Sequence, residues 1–288
     1  MNKISPPIVD DLLALQSLAN NQAVASYPKL KRQTKKIQQG YLAYKVAFGN
    51  PLVMPNASIP DEIADYLKAH YKSPPRDLKH IKELRTAAEH RMCPMCGSLH
   101  RGTLDHLLPQ SSYPIFSVYS LNLVPACKCN MKRQEVLIGP IPGERILHPY
   151  FDDCLSDRLI SAHFEDLGAV PRVELRLLVD ETHIDYRAID FHFRSIVKRT
   201  AVIGYLRERW IDLCRKPSLV IRGLKKNPAT RQALSRVLSE ELAMLDDIHQ
   251  GKNNWNSIFV SGLSVPSVRN WIFTKMTSLV RNPDGPLV

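Results

Sequence analysis

The residues able to do chemistry crowd into one stretch. Cys93-Pro-Met-Cys96 opens it, Asp105-His106 follows, and Asn122, Cys127, Cys129 and Asn130 close it. Thiolates at C-x2-C spacing can grip one tetrahedral ion, and a second pair elsewhere completes such a site. Cys127-Lys-Cys129 supplies that pair, one residue tighter than usual, with His100 nearby as a substitute ligand. The alternative is a group of reduced core thiols. Gly97 suits the tight turn after the first pair. A chain of 288 residues without an export signal fits structural Zn2+ better than disulfides. Cys154 and Cys214 stand alone and read as buried free thiols.

A single Asp-His pair means little by itself. Asp105-His106, however, lies between the two cysteine pairs, in a piece whose ends zinc would tie together. A carboxylate takes a hard ion such as Mg2+, which prefers oxygen ligands and keeps several waters. The adjacent imidazole, with a pKa near neutrality, can take a proton from water. Asn130 offers an amide oxygen as a second metal ligand at the start of a short helix. Asn122 can lock a loop through side-chain-to-backbone hydrogen bonds.

The order C-x2-C, D-H, N-L-V-P-x-C, C-N over residues 88–135 resembles the HNH endonucleases and their ββα-metal fold. The resemblance implies His106 as general base, Asn122 as the residue that orients it, and Asp105 and Asn130 as ligands of catalytic Mg2+ or Mn2+. It makes the chain an H-N-N variant, because Asn130 stands where many members carry histidine. The family usually has a lysine three residues after C-N; here Lys132 comes at two and Arg133 at three. Lys128, Lys132 and Arg133 become the implied nucleic-acid contacts, and zinc on Cys93, Cys96, Cys127 and Cys129 only folds the module. LPQSSYPIFSVYS, residues 108–120, is similar to a subset of bacterial HNH proteins found in anti-phage systems such as Septu. That likeness implies a defence or restriction setting. The expected partner is DNA, double-stranded in the first reading, with a partner ATPase or a homo-oligomer as further expectations. A reading of another class is a zinc-stapled nucleic-acid- or protein-binding module without catalysis.

The flanking elements must position this segment. Residues 1–87 read as a helical region with proline breaks. Pro60 with Asp61 and Glu62 suits a helix start, and Ile63, Leu67 and Tyr71 form an apolar stripe. Leu78, Ile81, Leu84 and Ala88 form another. Residues 136–288 read as a mainly helical α+β region. Val173, Leu175, Leu177 and Val179 alternate with polar residues as in a half-buried strand, with His183 to Phe191 as its hairpin partner. Ile203, Leu206, Trp210 and Leu213 mark a long helix, with Ile196 two turns before them. Asn227-Pro228 reads as a helix start before Leu234, Leu238, Leu242 and Leu245. Val268, Trp271, Ile272 and Met276 mark a last helix, and Pro283 and Gly285 a loose tail.

The fold class is therefore α+β and mostly helical. An HNH module over 88–135 sits between two helical regions, with a β-hairpin near 172–191. Net charge is +11 at pH 7, which favours polyanionic partners. The basic residues cluster at Lys29–Lys36 and at Arg207–Arg231, and either cluster fits phosphates as readily as a solvated helix face. Tyr113, Phe116 and Tyr119 either touch DNA or pack their loop down. His148-Pro-Tyr-Phe-Asp152 either extends the site or anchors the next region. No apolar run reaches the roughly 18–20 residues a membrane span needs, so the expectation is a cytoplasmic protein without membrane contact.

Overall fold

The computed structural model describes residues 1–55, 58–86, 92–100 and 102–288. About half of the chain is helical, and two small antiparallel strand pairs complete an α+β fold. Ala88, the end of the second N-terminal stripe, lies outside the described residues.

Four helices lead: α1 (Asp11–Asn20), α2 (Lys29–Val46), α3 (Asp61–Lys72) and α4 (Lys79–Thr86). As expected, Pro60 precedes α3, and Asp61 and Glu62 occupy its first turn. Ile63 and Leu67 are buried, while Tyr71 turns toward the residues after the first cysteine pair. Strands β1 (Thr103–His106) and β2 (Leu123–Ala126) pair antiparallel, with Asp105 opposite Val124 and His106 opposite Leu123. The single-turn helix α5 (Cys129–Lys132) follows.

The loop between β1 and β2 packs down instead of reaching out. Phe116 and Tyr119 are fully buried against α2, where Tyr119 stacks on Tyr41 at 4.1 Å between ring centroids and Phe116 meets Tyr44 edge-on. Gly40 in α2 permits this approach, because a Cβ there would lie 2.7 Å from Ile115 Cδ1. Leu104, Leu108, Ile115 and Leu121 therefore share one core with the N-terminal helices.

Strands β3 (Ile160–Glu165) and β4 (Arg172–Leu177) form the second pair. This corrects the expected partner of the 172–179 strand. Ile160, Ala162 and Phe164 alternate inward on β3, opposite Leu177, Leu175 and Val173. Residues 186–195 instead form α6 (Tyr186–Ser195), because Ala188, Ile189 and Phe193 fall on one helical face and are buried together. Helix α7 (Val202–Arg215) buries Leu206, Trp210 and Leu213, but Ile196 lies in the preceding bend and not on that helix. Helix α8 (Arg231–His249) starts later than Asn227-Pro228 implies: Thr230 is its cap, accepting from the Ala233 N–H at 3.0 Å. Helices α9 (Trp255–Leu263) and α10 (Pro266–Met276) close the C-terminal core, and α9 has no counterpart among the apolar stripes. The tail is pinned, not loose. Leu287 is buried, its N–H donates to Cys214 O at 2.7 Å, and Asp284 accepts from Ser218. Among the described residues, no helix is long and apolar enough to cross a membrane.

Trp210 is the largest side chain wholly inside, tilted against Phe164 and donating to Gly168 O at 2.8 Å. Trp210→Ala should cost roughly 3–5 kcal/mol of stability in urea unfolding, with zinc content unchanged. A loss under about 1 kcal/mol would show that this core is not continuous around the indole.

Candidate metal centre and histidine pocket

The four cysteines come together. All four Sγ atoms lie within 4.8 Å of one another, with Cys93–Cys129 at 3.6 Å and Cys96–Cys127 at 3.4 Å. A zinc–thiolate tetrahedron with bonds of about 2.3 Å has edges of about 3.8 Å, so these sulfurs already approach the vertices of one. Two main-chain donors support them: Cys127 N–H to Cys93 Sγ at 3.3 Å and Cys129 N–H to Cys127 Sγ at 3.4 Å. Such donors stabilise thiolates. Four packed thiolates without a cation would repel one another, and a divalent ion removes that cost. The donor set is that of a closed structural zinc site. His100 is exposed and is not in the group.

The turn after Cys96 has the expected strain. Gly97 adopts φ +78°, and a Cβ there would meet Asn253 O at 1.9 Å. The shorter C-x-C spacing works because Cys129 begins α5, so the chain bends between the two sulfurs. Cys154 and Cys214 are free and buried, and burial pushes their thiols up to about 12 and about 11.

Asp105, His106 and Asn130 meet in one pocket of about 260 Å³, which Gln110, Met131 and Arg133 also line. β1 and α5 supply the three. His106 is only 7% exposed, and burial holds its imidazole below the usual histidine range, so it is neutral near pH 7. Its Nε2 lies 2.8 Å from Ser117 O and 3.0 Å from Gln110 Nε2. A carbonyl can only accept, so Nε2 carries the proton, and the Gln110 amide faces it best with its oxygen. Nδ1 is then the basic nitrogen. Tyr71 packs edge-on against the ring at 4.3 Å.

Asn122 is fully buried and stands behind the pocket. Its Oδ1 accepts from Leu108 N–H at 2.8 Å, and its Nδ2 donates to Leu108 O at 3.0 Å and Phe116 O at 3.3 Å. It thus fixes the residues just after His106 and those just before Ser117, the ring's acceptor. Asn122 bonds its loop through side-chain-to-backbone hydrogen bonds, and two further side chains brace it. His148 Nδ1 accepts from Tyr150 N–H at 3.2 Å, so its Nε2 carries the proton toward Tyr44 Oη at 3.0 Å. Tyr44 in turn donates to Asn122 Oδ1 at 3.2 Å. Burial holds His148 down at about 3, so it stays neutral. The H-P-Y-F-D segment is therefore an anchor, clamped by Arg145 on Asp152 at 2.6 and 2.7 Å.

Asp105 accepts from its neighbour's N–H at 2.8 Å and from Asn130 Nδ2 at 2.8 Å. Asn130 Nδ2 also donates to His106 O, while its Oδ1 accepts from Arg133 Nε at 2.6 Å. One lone pair on each Asp105 oxygen remains as a hard donor, and Asn130 Oδ1 keeps a second lone pair that joins them on one ion once the amide turns from Asp105. That set fits a divalent ion carrying several waters. Arg133 departs from the role expected for it. It is 1% exposed, and its guanidinium is held by Asn130, Leu107 O, His106 O and Val136 O. Desolvation pulls it down to about 10, still charged. It braces the pocket and does not face solvent. Lys128 and Lys132 are exposed.

No family model matches the chain, and no solved structure matches it. A 62-residue part is 40% identical to Protein ea31 of Escherichia phage lambda, covering 21% of each chain. The chain spans about a fifth of the length of the curated relative it matches.

Purified chain should carry about one tightly held zinc by elemental analysis, and Cys93→Ser with Cys129→Ser should lose it. A well-folded wild-type chain free of metal would rule out the zinc assignment.

Proposed function

We propose that the chain is an HNH-type, metal-dependent endonuclease that hydrolyses phosphodiester bonds of double-stranded DNA. The observation that carries the reading is the His106 imidazole. It is held neutral, with Nε2–H on Ser117 O and Nδ1 left as base, in one pocket with Asp105 and Asn130. Mg2+ or Mn2+ on Asp105 and Asn130 would supply charge stabilisation for the phosphorane and the leaving 3′ oxygen. His106 Nδ1 takes a proton from the attacking water. The Ser117 carbonyl then receives a stronger hydrogen bond from the imidazolium, which stabilises the charge that forms. Asn122 keeps that carbonyl and the ring in register. Arg133 fixes the Asn130 amide, and Tyr71 limits rotation of the ring. The β1–β2 pair followed by α5 is the frame a ββα-metal module would use, and the four-cysteine site staples it.

The likeness to a phage lambda protein and the net charge of +11 support a bacterial or phage setting and a nucleic-acid substrate. A second reading, a zinc-stapled binding module without catalysis, draws on one observation. The Asn130 amide points its nitrogen at Asp105 and its oxygen at Arg133. An ion shared by both side chains needs that Asp105–Asn130 hydrogen bond to open.

The two readings part on plasmid DNA with Mg2+ or Mn2+. His106→Ala should lower cleavage by about 10²-fold or more, the usual worth of a general base. Its zinc content should match the wild type and its fold should remain intact, with at most a modest drop in melting temperature. Wild-type protein that never cuts with any divalent ion would favour the binding module; His106→Ala that cuts at full rate would remove the base from His106.

A further inference from the structure

A strongly basic face lies beside the histidine pocket, and half of it comes from outside the 88–135 segment. α5 meets the corner between α6 and α7. There Lys132 Nζ donates to Arg199 O at 3.2 Å, and Arg199 Nη1 donates to Lys132 O at 3.3 Å. This exchange sets two cations side by side. Lys128 and Lys198 flank them, and all four side chains are exposed. Among the described residues none of the four pairs with a carboxylate. Lys198 lies over the Phe193 ring, 4.9 Å from its centroid, a contact that leaves its net charge in place. Elsewhere the positive charge is partly neutralised: Arg209 and Arg215 share Asp212, and Lys29 pairs with Glu62.

A cleft of about 520 Å³ opens beside these cations. Lys128, Lys132, Thr103, Thr200, Ser98 and His100 contribute to its wall beside Trp255 and Ala201, and among the described residues no carboxylate does. Ammonium, hydroxyl and imidazole groups together suit phosphate oxygens, which only accept. Thr103 and Asp105 project from the same face of β1, two residues apart, roughly 7 Å along the strand. α5 is a wall of both openings: Lys128 and Lys132 line the cleft, Asn130 and Met131 the histidine pocket.

We propose that Lys128, Lys132, Lys198 and Arg199 form a docking face for the phosphodiester backbone of duplex nucleic acid, feeding it across the mouth of the His106 pocket. The α6–α7 corner is thereby part of the substrate surface, not only a flank. The proposal deepens the nuclease reading and rests on it for the substrate class. Phosphates recur at every nucleotide, and a row of uncompensated cations along two elements fits that repeat. A backbone contact of this kind is indifferent to base sequence.

The test measures binding without cleavage, using full-length His106→Ala protein and no added divalent ion. Fluorescence anisotropy follows duplex DNA, with single-stranded DNA and duplex RNA as parallel arms. Lys198→Gln with Arg199→Gln should weaken duplex binding by about tenfold near 0.1 M salt and lower the salt slope by about two, close to one per cation removed. Lys35→Gln with Lys36→Gln, on α2, should change neither comparably. Equal losses in the two pairs would mean that only net charge matters, and would overturn the proposal. So would unchanged affinity in the Lys198/Arg199 pair, or no affinity for any of the three nucleic acids, the result expected of a surface for an acidic protein. Should loss of the Arg199 contact unfold the chain, Lys128→Gln with Lys198→Gln carries the same expectation. DNA that binds through this face but is never cut would sustain the docking face and defeat the catalytic reading. DNA that is cut, with affinity unchanged by these substitutions, would do the reverse.

Discussion

The convergence of four sulfurs within 4.8 Å is the constraint on which the rest of the molecule depends. Thiolates so close repel unless a cation sits among them, so the chain around them must be held by an ion or by protons. The backbone of the first cysteine turn is also where distant segments dock. Met95 O accepts from His192 at 2.7 Å, and Cys96 O accepts from the Trp255 indole at 3.0 Å. Gly97 O accepts from Trp255 N–H, and Pro94 O from Asn2 N–H. His192 belongs to α6 and Trp255 to α9, so one short turn fixes both against β1, β2 and α5. A zinc site here does more than fold a small hairpin. It sets the place of the C-terminal helices relative to the histidine pocket, including the corner that carries Lys198 and Arg199.

The pocket depends in turn on a buried polar frame. Asn122, Tyr44 and His148 form a chain in which each proton has one consistent place, given that His148 Nδ1 accepts from Tyr150. Asp11, at the start of α1, accepts from Ser120 N–H at 2.9 Å and Ser120 Oγ at 2.6 Å, and ties the same loop to the N-terminal helices. Buried groups left without partners cost on the order of 1–3 kcal/mol each, so this frame is rigid only when complete. The His106 ring takes its orientation from Ser117 O, a main-chain atom next to the Phe116 carbonyl that Asn122 holds.

Arg133 shows how one residue can belong to both stability and chemistry. A buried guanidinium is expensive unless its donors are satisfied. Here four acceptors surround it, and two of them, His106 O and Asn130 Oδ1, belong to candidate site residues. The same charge fixes the Asn130 amide and limits how it can turn toward an ion. The pocket thus has one firmly placed carboxylate in Asp105 and one amide oxygen, that of Asn130, shared with its brace.

Much of the site was legible in the sequence. Cysteine spacing gave the sulfur cluster, because C-x2-C and C-x-C restrict how far two thiols can part. Asp105-His106 and Asn130 stood out by residue type, and Asn122 by its capacity to bond a loop. The apolar stripes gave α3, α7 and α10, since periodicity records which face is buried. Sequence failed where a residue's role depends on what lies across the fold. The 172–177 strand found its partner upstream at 160–165, and α6 took the expected partner's place, because strand pairing is decided by shared burial and not by nearness alone. Tyr44 has no motif of its own, and the patterns that hold Tyr71, His148 and Arg133 do not say what those side chains brace. Their side chains acquire meaning only from the groups that folding sets beside them. Local spacing can specify which atoms are able to bind a metal or a proton, but only tertiary packing chooses which way each one points.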